Sequence, residues 1–257
     1  ITTATGLVTI GAANTLTTIA GIPLYKGDAN SIYTHDVSGT DSTATGNTAF
    51  GIAAMDAITT GDNNAAFGFG ALGANTTGGN NTAFGKDALL ANSTGAENTA
   101  FGKGALDSNT TADYNTAIGN FSLGTNTTGA YNVAVGSWAL NANTTASDNV
   151  AVGYQALYQN TTGTRNLAIG KAAYTASDTE NDNMAIGFNA MTTNTAGGTL
   201  NLALGNYALD ALTSGDSNIS IGYATLSTIT TGNRNVAIGV RALEATTTAS
   251  DVTAVGT

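Results

Sequence analysis

The segment Asn98-Thr-Ala-Phe-Gly102 recurs along most of the chain and decides its fold. Close copies are Asn81-Thr-Ala-Phe-Gly85, Asn115-Thr-Ala-Ile-Gly119, Asn132-Val-Ala-Val-Gly136 and Asn149-Val-Ala-Val-Gly153. A period this regular is typical of a repeat architecture, so the sequence predicts a solenoid in which each repeat forms one coil. The repeat glycines are 17 residues apart, except for one interval of 18 between Gly187 and Gly205: Gly51, Gly68, Gly85, Gly102, Gly119, Gly136, Gly153, Gly170, Gly187, Gly205, Gly222, Gly239 and Gly256.

One repeat reads Asn-x-Ala-φ-Gly-x-x-Ala-Leu-x-x-Asn-Thr-Thr-Gly-x-x, where φ is an apolar residue, and we number its positions 1 to 17. Position 4 is apolar in every repeat, and position 3 is alanine except at Ser220. Position 2 changes from mostly threonine in the first repeats, as at Thr48 and Thr116, to apolar residues such as Val133 and Leu167.

The pattern at positions 2 to 4 predicts a strand that is buried on both faces. Successive side chains of a strand point to opposite faces, so positions 2 and 4 share one face and position 3 takes the other. Neither face carries the polar alternation of a strand exposed to water. A narrow coil can bury only one of these faces, and we therefore expect the other to meet a second chain or an added layer.

The rest of each repeat predicts a second strand and two turns. Ala-Leu at positions 8 and 9 indicates a second short strand, and the glycine at position 5 would allow a tight bend before it. Asn-Thr-Thr-Gly, as in residues 75–78, suits the other turn. The expected fold is an all-β parallel solenoid, a flattened roll with coils about 4.8 Å apart and a length of roughly 60 Å. The extra residue of the 18-residue repeat is expected in the loop Asn194–Leu200, and the scarcity of strong helix formers opposes a helical fold.

The chain divides into two regions. Residues 47–257 hold thirteen repeats, the last one truncated. Residues 1–46 are expected to form an N-terminal cap or a junction, because the first coil of a solenoid needs a covered edge. In that region Gly21–Asp28 is predicted to be a turn or loop, and Asn30–Tyr33 to be a degenerate first coil aligned with Asn47–Phe50.

Composition excludes several classes of function. Only 9% of the residues are charged and the net charge is −10, which argues against nucleic acid and anionic membranes as partners. The chain has no cysteine, and its apolar runs are too short to cross a bilayer. Because it begins at Ile1 and ends in the middle of a repeat, we expect it to be a fragment or a processed product of a longer protein.

No set of residues predicts a catalytic centre, a cofactor or a metal site. His35 is the only histidine, so a two-histidine metal site cannot form within one chain. Gly68-Phe-Gly70 lacks the lysine and the spacing of a nucleotide-binding loop. We therefore predict that the protein is not an enzyme. The acidic residues toward the N-terminus follow no calcium-binding motif, and are expected to be solvated turn residues: Asp28, Asp36, Asp41, Asp56 and Asp62.

Aromatic residues outside the strands are the best candidates for an interaction site. Several occupy positions 6 or 7, directly after the repeat glycine, where a side chain should reach an outer edge. Such rings could bind sugars through their flat apolar faces, or could form a seam between subunits. The seam is the preferred interpretation because aromatic residues favour interfaces. The candidates are Trp138, Tyr154, Tyr158, Tyr174, Phe188, Tyr207 and Tyr223.

The repeats resemble two related groups of proteins. They are similar to the head repeats of YadA-like trimeric autotransporter adhesins, which carry Asn/Ser-x-Ala-Ile-Gly motifs, and to repeats of phage tail fibres close to Asn-Thr-Ala-Ile-Gly-x-x-Ala-Leu-x-x-Asn-Thr-Thr-Gly. The similarity covers residues 47–256, and the Ala-Leu and Asn-Thr-Thr-Gly half is closer to the phage version. The resemblance implies a left-handed parallel β-roll, three copies of which pack side by side into a homotrimer.

Four functions remain open at this level. The first is the shaft or receptor-binding head of a trimeric phage tail fibre, which would contact host polysaccharide or surface protein and other tail proteins. The second is a bacterial surface adhesin head, and the third a non-adhesive extracellular filament. All three place the protein on a virion or outside a cell. Ice binding is the fourth, and it is disfavoured because the threonine pairs are expected to stabilise turns.

Overall fold

The structure, a computed structural model, describes residues 17–19, 22–26, 32–33, 43–193 and 197–257. This part of the chain is all-β. The strands are β1 Thr17–Ile19, β2 Ile22–Lys26, β3 Ile32–Tyr33, β4 Thr48–Phe50, β5 Ala65–Phe67, β6 Thr82–Phe84, β7 Thr99–Phe101, β8 Thr116–Ile118, β9 Val133–Val135, β10 Val150–Val152, β11 Leu167–Ile169, β12 Met184–Ile186, β13 Leu202–Leu204, β14 Ile219–Ile221, β15 Val236–Ile238 and β16 Thr253–Val255.

Strands β4 to β16 confirm the predicted parallel β-solenoid. Each strand pairs with the strand one repeat later, so that Val150 lies opposite Leu167 and Val152 opposite Ile169. The thirteen strands define about twelve turns of 17 residues. The 18-residue interval leaves the pairing intact, because Met184 still lies opposite Leu202. Insertion of one residue outside the strand is therefore absorbed without a change of register.

The N-terminal strands differ from the sequence prediction. The segment predicted as a loop over Gly21–Asp28 contains β2, which pairs antiparallel with β1 and holds Pro23 opposite Thr18. A proline cannot donate a backbone hydrogen bond, and it is tolerated near a strand end where one side is unpaired. Strand β3 pairs with β2 only at Tyr25 and Lys26, so Pro23 lies beyond that pairing.

The degenerate first coil is displaced by one residue from its predicted alignment. Strand β3 pairs parallel with β4, but Tyr33 lies opposite Ala49 instead of Phe50. A slip of one residue moves a side chain to the other face of a sheet. Tyr33 is accordingly fully buried, whereas Phe50 is half exposed.

The core of each coil is narrow and consists mainly of alanine and leucine. In the coil that begins at Asn132, the buried side chains include Ala134 at position 3, Ala139 at position 8 and Leu140 at position 9. Ala134 points inward from the strand, while Val133 and Val135 point outward. Position 3 is therefore the inner face of the sheet, and positions 2 and 4 form its outer face.

The predicted second strand is absent from the described coils. Positions 6 to 11 form consecutive turns, and the residues at positions 7 and 9 have left-handed backbone conformations, with φ of 62° at Trp138 and 50° at Leu140. This conformation cannot continue an extended strand. Leu140 still donates its backbone N–H to the carbonyl of Ala156 in the next coil, at 3.0 Å. The segment is thus bonded from coil to coil, although it is not a strand.

The glycine at position 5 is required by the close approach of successive coils. Gly136 has a φ of +134°, and a Cβ atom built there would lie 2.5 Å from the carbonyl oxygen of Gly153. The same arrangement recurs at Gly85, Gly102, Gly119, Gly153 and Gly170. The regular spacing of the glycines thus reflects a backbone conformation and a contact that exclude side chains.

Buried asparagines form two ladders along the rod. At position 1, the Oδ1 atom of Asn132 accepts the backbone N–H of Asn149 at 3.0 Å, and its Nδ2 donates to the carbonyl of Ala146 at 2.9 Å. At position 12, the Nδ2 of Asn126 donates to Oδ1 of Asn109 at 3.1 Å. These side chains are fully buried and bonded, which satisfies polar groups inside the coil. The second ladder contains Asn75, Asn92, Asn109, Asn126, Asn143 and Asn160.

Candidate functional site

The largest candidate surface is the outer face of the parallel sheet. We call the side chains at positions 2 and 4 of β4 to β16 the apolar sheet face. From β9 to β15 both positions are aliphatic in every strand, and Ile169, Leu204 and Ile238 are each 38 to 40% exposed. Thirteen strands about 4.8 Å apart make this face roughly 60 Å long. Monomeric soluble proteins rarely expose an apolar patch of that size.

The N-terminal part of the apolar sheet face carries a stack of phenylalanine rings. Phe67 and Phe84 have ring centroids 5.6 Å apart, and Phe84 and Phe101 have centroids 4.7 Å apart with nearly parallel planes. The side chains at position 2 of the same strands are small, as at Thr82 and Thr99. From β8 onward the residue at position 4 is aliphatic and smaller than phenylalanine, and from β9 to β15 the residue at position 2 is a larger aliphatic one. The face therefore remains apolar and filled along its whole length.

A second candidate surface borders the apolar sheet face. We call the partly exposed aromatic side chains at positions 6, 7 and 10 the aromatic edge. It includes six of the seven residues selected from the sequence. Phe121 and Phe69 also belong to it, although the sequence analysis missed them. Its members are Phe69, Phe121, Trp138, Tyr154, Tyr158, Phe188, Tyr207 and Tyr223.

Tyr174 does not belong to this edge, contrary to the sequence prediction. It occupies position 9, where most repeats have leucine, and its side chain is fully buried. Its hydroxyl oxygen accepts a hydrogen bond from Nδ2 of Asn183 at 2.6 Å. The sequence contains the signal for this placement, because position 9 is a core position in every repeat.

The rings of the aromatic edge form two clusters. In the first, the ring of Trp138 lies 5.1 Å from that of Phe121 and 6.1 Å from that of Tyr158. The ammonium group of Lys103 lies over the Phe121 ring, 5.3 Å from its centroid. Contacts of this kind between a cation and a ring are attractive and hold both side chains in place.

The second cluster has the same composition. The ring of Tyr207 lies 5.3 Å from that of Phe188 and 5.8 Å from that of Tyr223. The ammonium group of Lys171 lies 5.7 Å from the centre of the Phe188 ring. Each cluster therefore consists of three aromatic rings and one lysine.

The opposite border of the apolar sheet face, at position 17, also carries aromatic residues that the sequence analysis missed. Tyr114 and Tyr131 are about half exposed, and their rings stack at 5.1 Å with an interplanar angle of 5°. They are 17 residues apart, so a comparison of equivalent positions in successive repeats would have identified them.

Further along this border, Arg165 forms an ion pair with Asp182 at 2.6 Å. The hydrogen bond from Arg165 lowers the pKa of the Asp182 carboxyl, but exposed pairs of this kind add little stability.

The other candidate residues of the sequence analysis have structural roles or lie outside the described residues. His35, Asp28, Asp36 and Asp41 lie outside them. Asp62 is exposed, and its Oδ1 atom accepts the backbone N–H of Thr45 at 2.7 Å. In the described part of the chain, no group of three or more histidine, aspartate or glutamate side chains could hold a metal ion.

The repeated Asn-Thr-Thr-Gly motif is occupied by structural hydrogen bonds. Asn75 is fully buried and its Nδ2 donates to the carbonyl of Gly78 at 2.9 Å, so its amide is not available as a glycosylation acceptor. The hydroxyl of Thr76 donates to the carbonyl of Ser93 in the next coil at 2.9 Å. Thr77, at position 14, is exposed. The first threonine of each pair therefore stabilises the turn, as the sequence indicates.

Asp210 has a partly buried carboxyl group. Its Oδ1 atom is buried and has no hydrogen-bond partner within the described structure. Burial raises the pKa of this carboxyl above its ordinary value. A carboxyl whose pKa is higher in the folded state destabilises the fold at neutral pH, and the penalty is relieved as the pH falls toward 3.8 and the group becomes protonated.

Replacing Asp210 with asparagine is therefore expected to raise the melting temperature at pH 7, because it removes the cost of burying a charge. The gain over the unmodified protein should shrink as the pH is lowered toward 4, where the aspartate becomes neutral. Thermal melting between pH 4 and pH 7 would measure this difference. Asp148→Asn makes the same change of charge at an exposed site and serves as the control. An equal gain in both variants would show that the overall charge, and not the burial of Asp210, is responsible.

Comparisons of the sequence and the structure with family models, with curated proteins and with solved structures give no match. Within the described ranges there is no helix of the length and apolar character needed to cross a membrane.

Proposed function

We propose that this chain is a structural and adhesive section of a trimeric phage tail fibre, either its shaft or its receptor-binding head. Three copies of a left-handed roll would pack side by side along their apolar sheet faces. The partners are then two further copies of the chain, other tail or fibre proteins, and polysaccharide or protein on the host surface. A bacterial trimeric adhesin head has the same fold and the same apolar sheet face, and is the second candidate.

The apolar sheet face is the observation that carries this proposal. Its aliphatic columns are continuous over the strands β9 to β15, and nothing in a single coil covers them. A rotation axis parallel to the rod would bring each column against the same columns of the other copies, so that apolar groups meet apolar groups along the whole length. Burial of such a surface is favourable by about 25 cal/mol per Å². Assembly would thus remove the one large surface that a lone chain leaves exposed to water.

Enzymatic activity is not part of the proposal. No acid–base pair and no nucleophile–base set recurs in the sequence, and cleavage of a polysaccharide would need a carboxylate pair in a groove. Incubation with host polysaccharide tests this point, since release of oligosaccharides would show that the fibre section also cleaves its receptor.

The mass of the native particle is the decisive measurement. Light scattering or native mass spectrometry is expected to give about three times the chain mass of 25.4 kDa. A stable particle of one chain would contradict the proposal, since the apolar sheet face would then be tolerated in water. Open-ended polymers would instead favour a filament. If the protein is a trimer but neither host cells nor cell-surface extracts bind it, its role would be limited to that of a spacer.

A further inference from the structure

The two clusters of the aromatic edge repeat one pattern along the rod. Each contains a lysine at position 6 followed, over the next three coils, by three aromatic rings. The first cluster runs from Lys103 to Tyr158, and the second from Lys171 to Tyr223. The two lysines are four coils apart, which corresponds to about 19 Å along the rod. The rod therefore presents two similar groups of side chains in a line, each with a lysine and three rings.

The lysines of these clusters differ from the other described cations. Arg165 and Arg234 are paired with aspartates, while Lys86 and Arg241 lie within 4.0 Å of a carboxylate. Lys103 and Lys171 form no ion pair within the described ranges, although the chain is strongly acidic. Both are exposed, and each is held over a phenylalanine ring. Two positive charges are thus kept available beside the rings.

The chemistry of each cluster matches an acidic sugar. The apolar faces of aromatic rings pack against the C–H surfaces of pyranose rings. An ammonium group with no internal acidic partner can form a charge-assisted hydrogen bond with a carboxylate on the same sugar chain. Lysine is depleted from the buried centres of protein interfaces, so its position at the head of each cluster argues against a seam between subunits.

We propose that the two clusters form one extended binding site for an acidic polysaccharide that lies along the rod. The carboxylates of the polymer would contact Lys103 and Lys171, and its sugar rings would stack on Trp138 and Tyr207. Two such sites about 19 Å apart favour a polymer over a single sugar. Once a polymer is bound at one site, its next segment is held close to the second site, which raises the overall affinity. This inference names a receptor class within the proposed function, but it does not require the trimer.

The test compares binding of the full chain to polygalacturonate and to neutral dextran by isothermal titration calorimetry. We expect binding to polygalacturonate only, and weaker binding as the salt concentration rises. The double variant Lys103→Gln with Lys171→Gln should bind about tenfold more weakly or worse, since each substitution removes a charged hydrogen bond. Arg165→Gln with Arg234→Gln makes the same change of net charge on the opposite border, and should bind as the unmodified protein does.

Trp138→Leu with Tyr207→Leu tests the stacking separately. These substitutions keep an apolar side chain at each site but remove its flat ring, and they should also weaken binding about tenfold. Equal losses in the lysine and arginine variants would overturn the proposal, because binding would follow net charge alone. A change of particle mass in the Trp138 and Tyr207 variant would assign the rings to a subunit seam. If neither the unmodified chain nor any variant binds polygalacturonate and the particle is still a trimer, the proposed ligand class is rejected. The proposed assembly is then not contradicted.

Discussion

Replacing Gly136 with alanine is expected to destabilise the solenoid by about 3 kcal/mol or more. The residue has a φ of +134°, and the new Cβ atom would lie 2.5 Å from the oxygen and 2.6 Å from the carbon of the Gly153 carbonyl. Both atoms belong to the backbone of the next coil, which can move away only by breaking its hydrogen bonds. Urea or thermal unfolding followed by circular dichroism would measure the loss.

Gly129→Ala is a matched control at the neighbouring boundary between coils. A Cβ atom at Gly129 would lie 2.1 Å from the oxygen of Ala146, so distance alone predicts an even worse clash. The chain itself has alanine at this position 15 in other coils, as at Ala112 and Ala146. Gly129 also lacks the left-handed conformation of Gly136. We expect a small loss of stability here, and equal losses in the two variants would show that backbone conformation is not the deciding factor.

Replacing Ile169 and Ile186 together with aspartate is expected to convert the proposed trimer into single chains. These residues are neighbours on the apolar sheet face, opposite each other in β11 and β12. In a lone chain both point outward and are partly exposed, so two carboxylates there would remain largely hydrated. In the trimer six carboxylates would be buried without partners, and each would cost several kcal/mol. Native mass spectrometry should then show about 25.4 kDa with the circular dichroism spectrum retained.

Thr145→Asp with Thr162→Asp adds the same charge at exposed turn positions, away from the apolar sheet face. This control should remain trimeric. If the isoleucine variant proves unfolded, Ile169→Thr with Ile186→Thr keeps the branched shape of the side chain and should weaken the trimer with less damage to the strand. A stable trimer in both isoleucine variants would refute the assignment of this face to the subunit interface.

The sequence predicted the coil, the strand and the direction of its side chains, because all three follow from a strict period and from the alternation along a strand. It failed at Ala-Leu, where a second strand was predicted. Non-glycine residues avoid left-handed conformations in isolation, so no local rule places Leu140 there. Burial of its side chain and the hydrogen bond from its N–H to Ala156 outweigh that preference, and both depend on the next coil.

The candidate surfaces could also be predicted only in part from the sequence. Residue type identified Trp138 and Tyr207 as aromatic candidates, but it could not distinguish Tyr174, whose position in the repeat places it in the core. The importance of Lys103 was also not apparent, because a lysine has no significance until its neighbours are known. Asn126 was assigned to a turn, and its amide does donate to Gly129 within that turn, but the bond that it also donates to Asn109 in the previous coil was not predicted. For Lys103 and Asn126 the deciding contact is with a residue of the neighbouring coil.

The asparagine ladders also determine how the rod resists force. A pull along the axis acts on every hydrogen bond of a coil boundary at once, since those bonds join one coil to the next, as Asn132 joins Asn149. Such a boundary opens as a whole, which favours high resistance to stretching. At position 12 the asparagine ladder is continued after Asn160 by Ser177, whose hydroxyl donates to Oδ1 of Asn160 at 3.2 Å, whereas Leu212 and Ile229 occupy this position in later coils. The coil boundaries between Asn75 and Ser177 therefore carry side-chain hydrogen bonds at position 12 that Leu212 and Ile229 cannot form, and we expect them to resist stretching more.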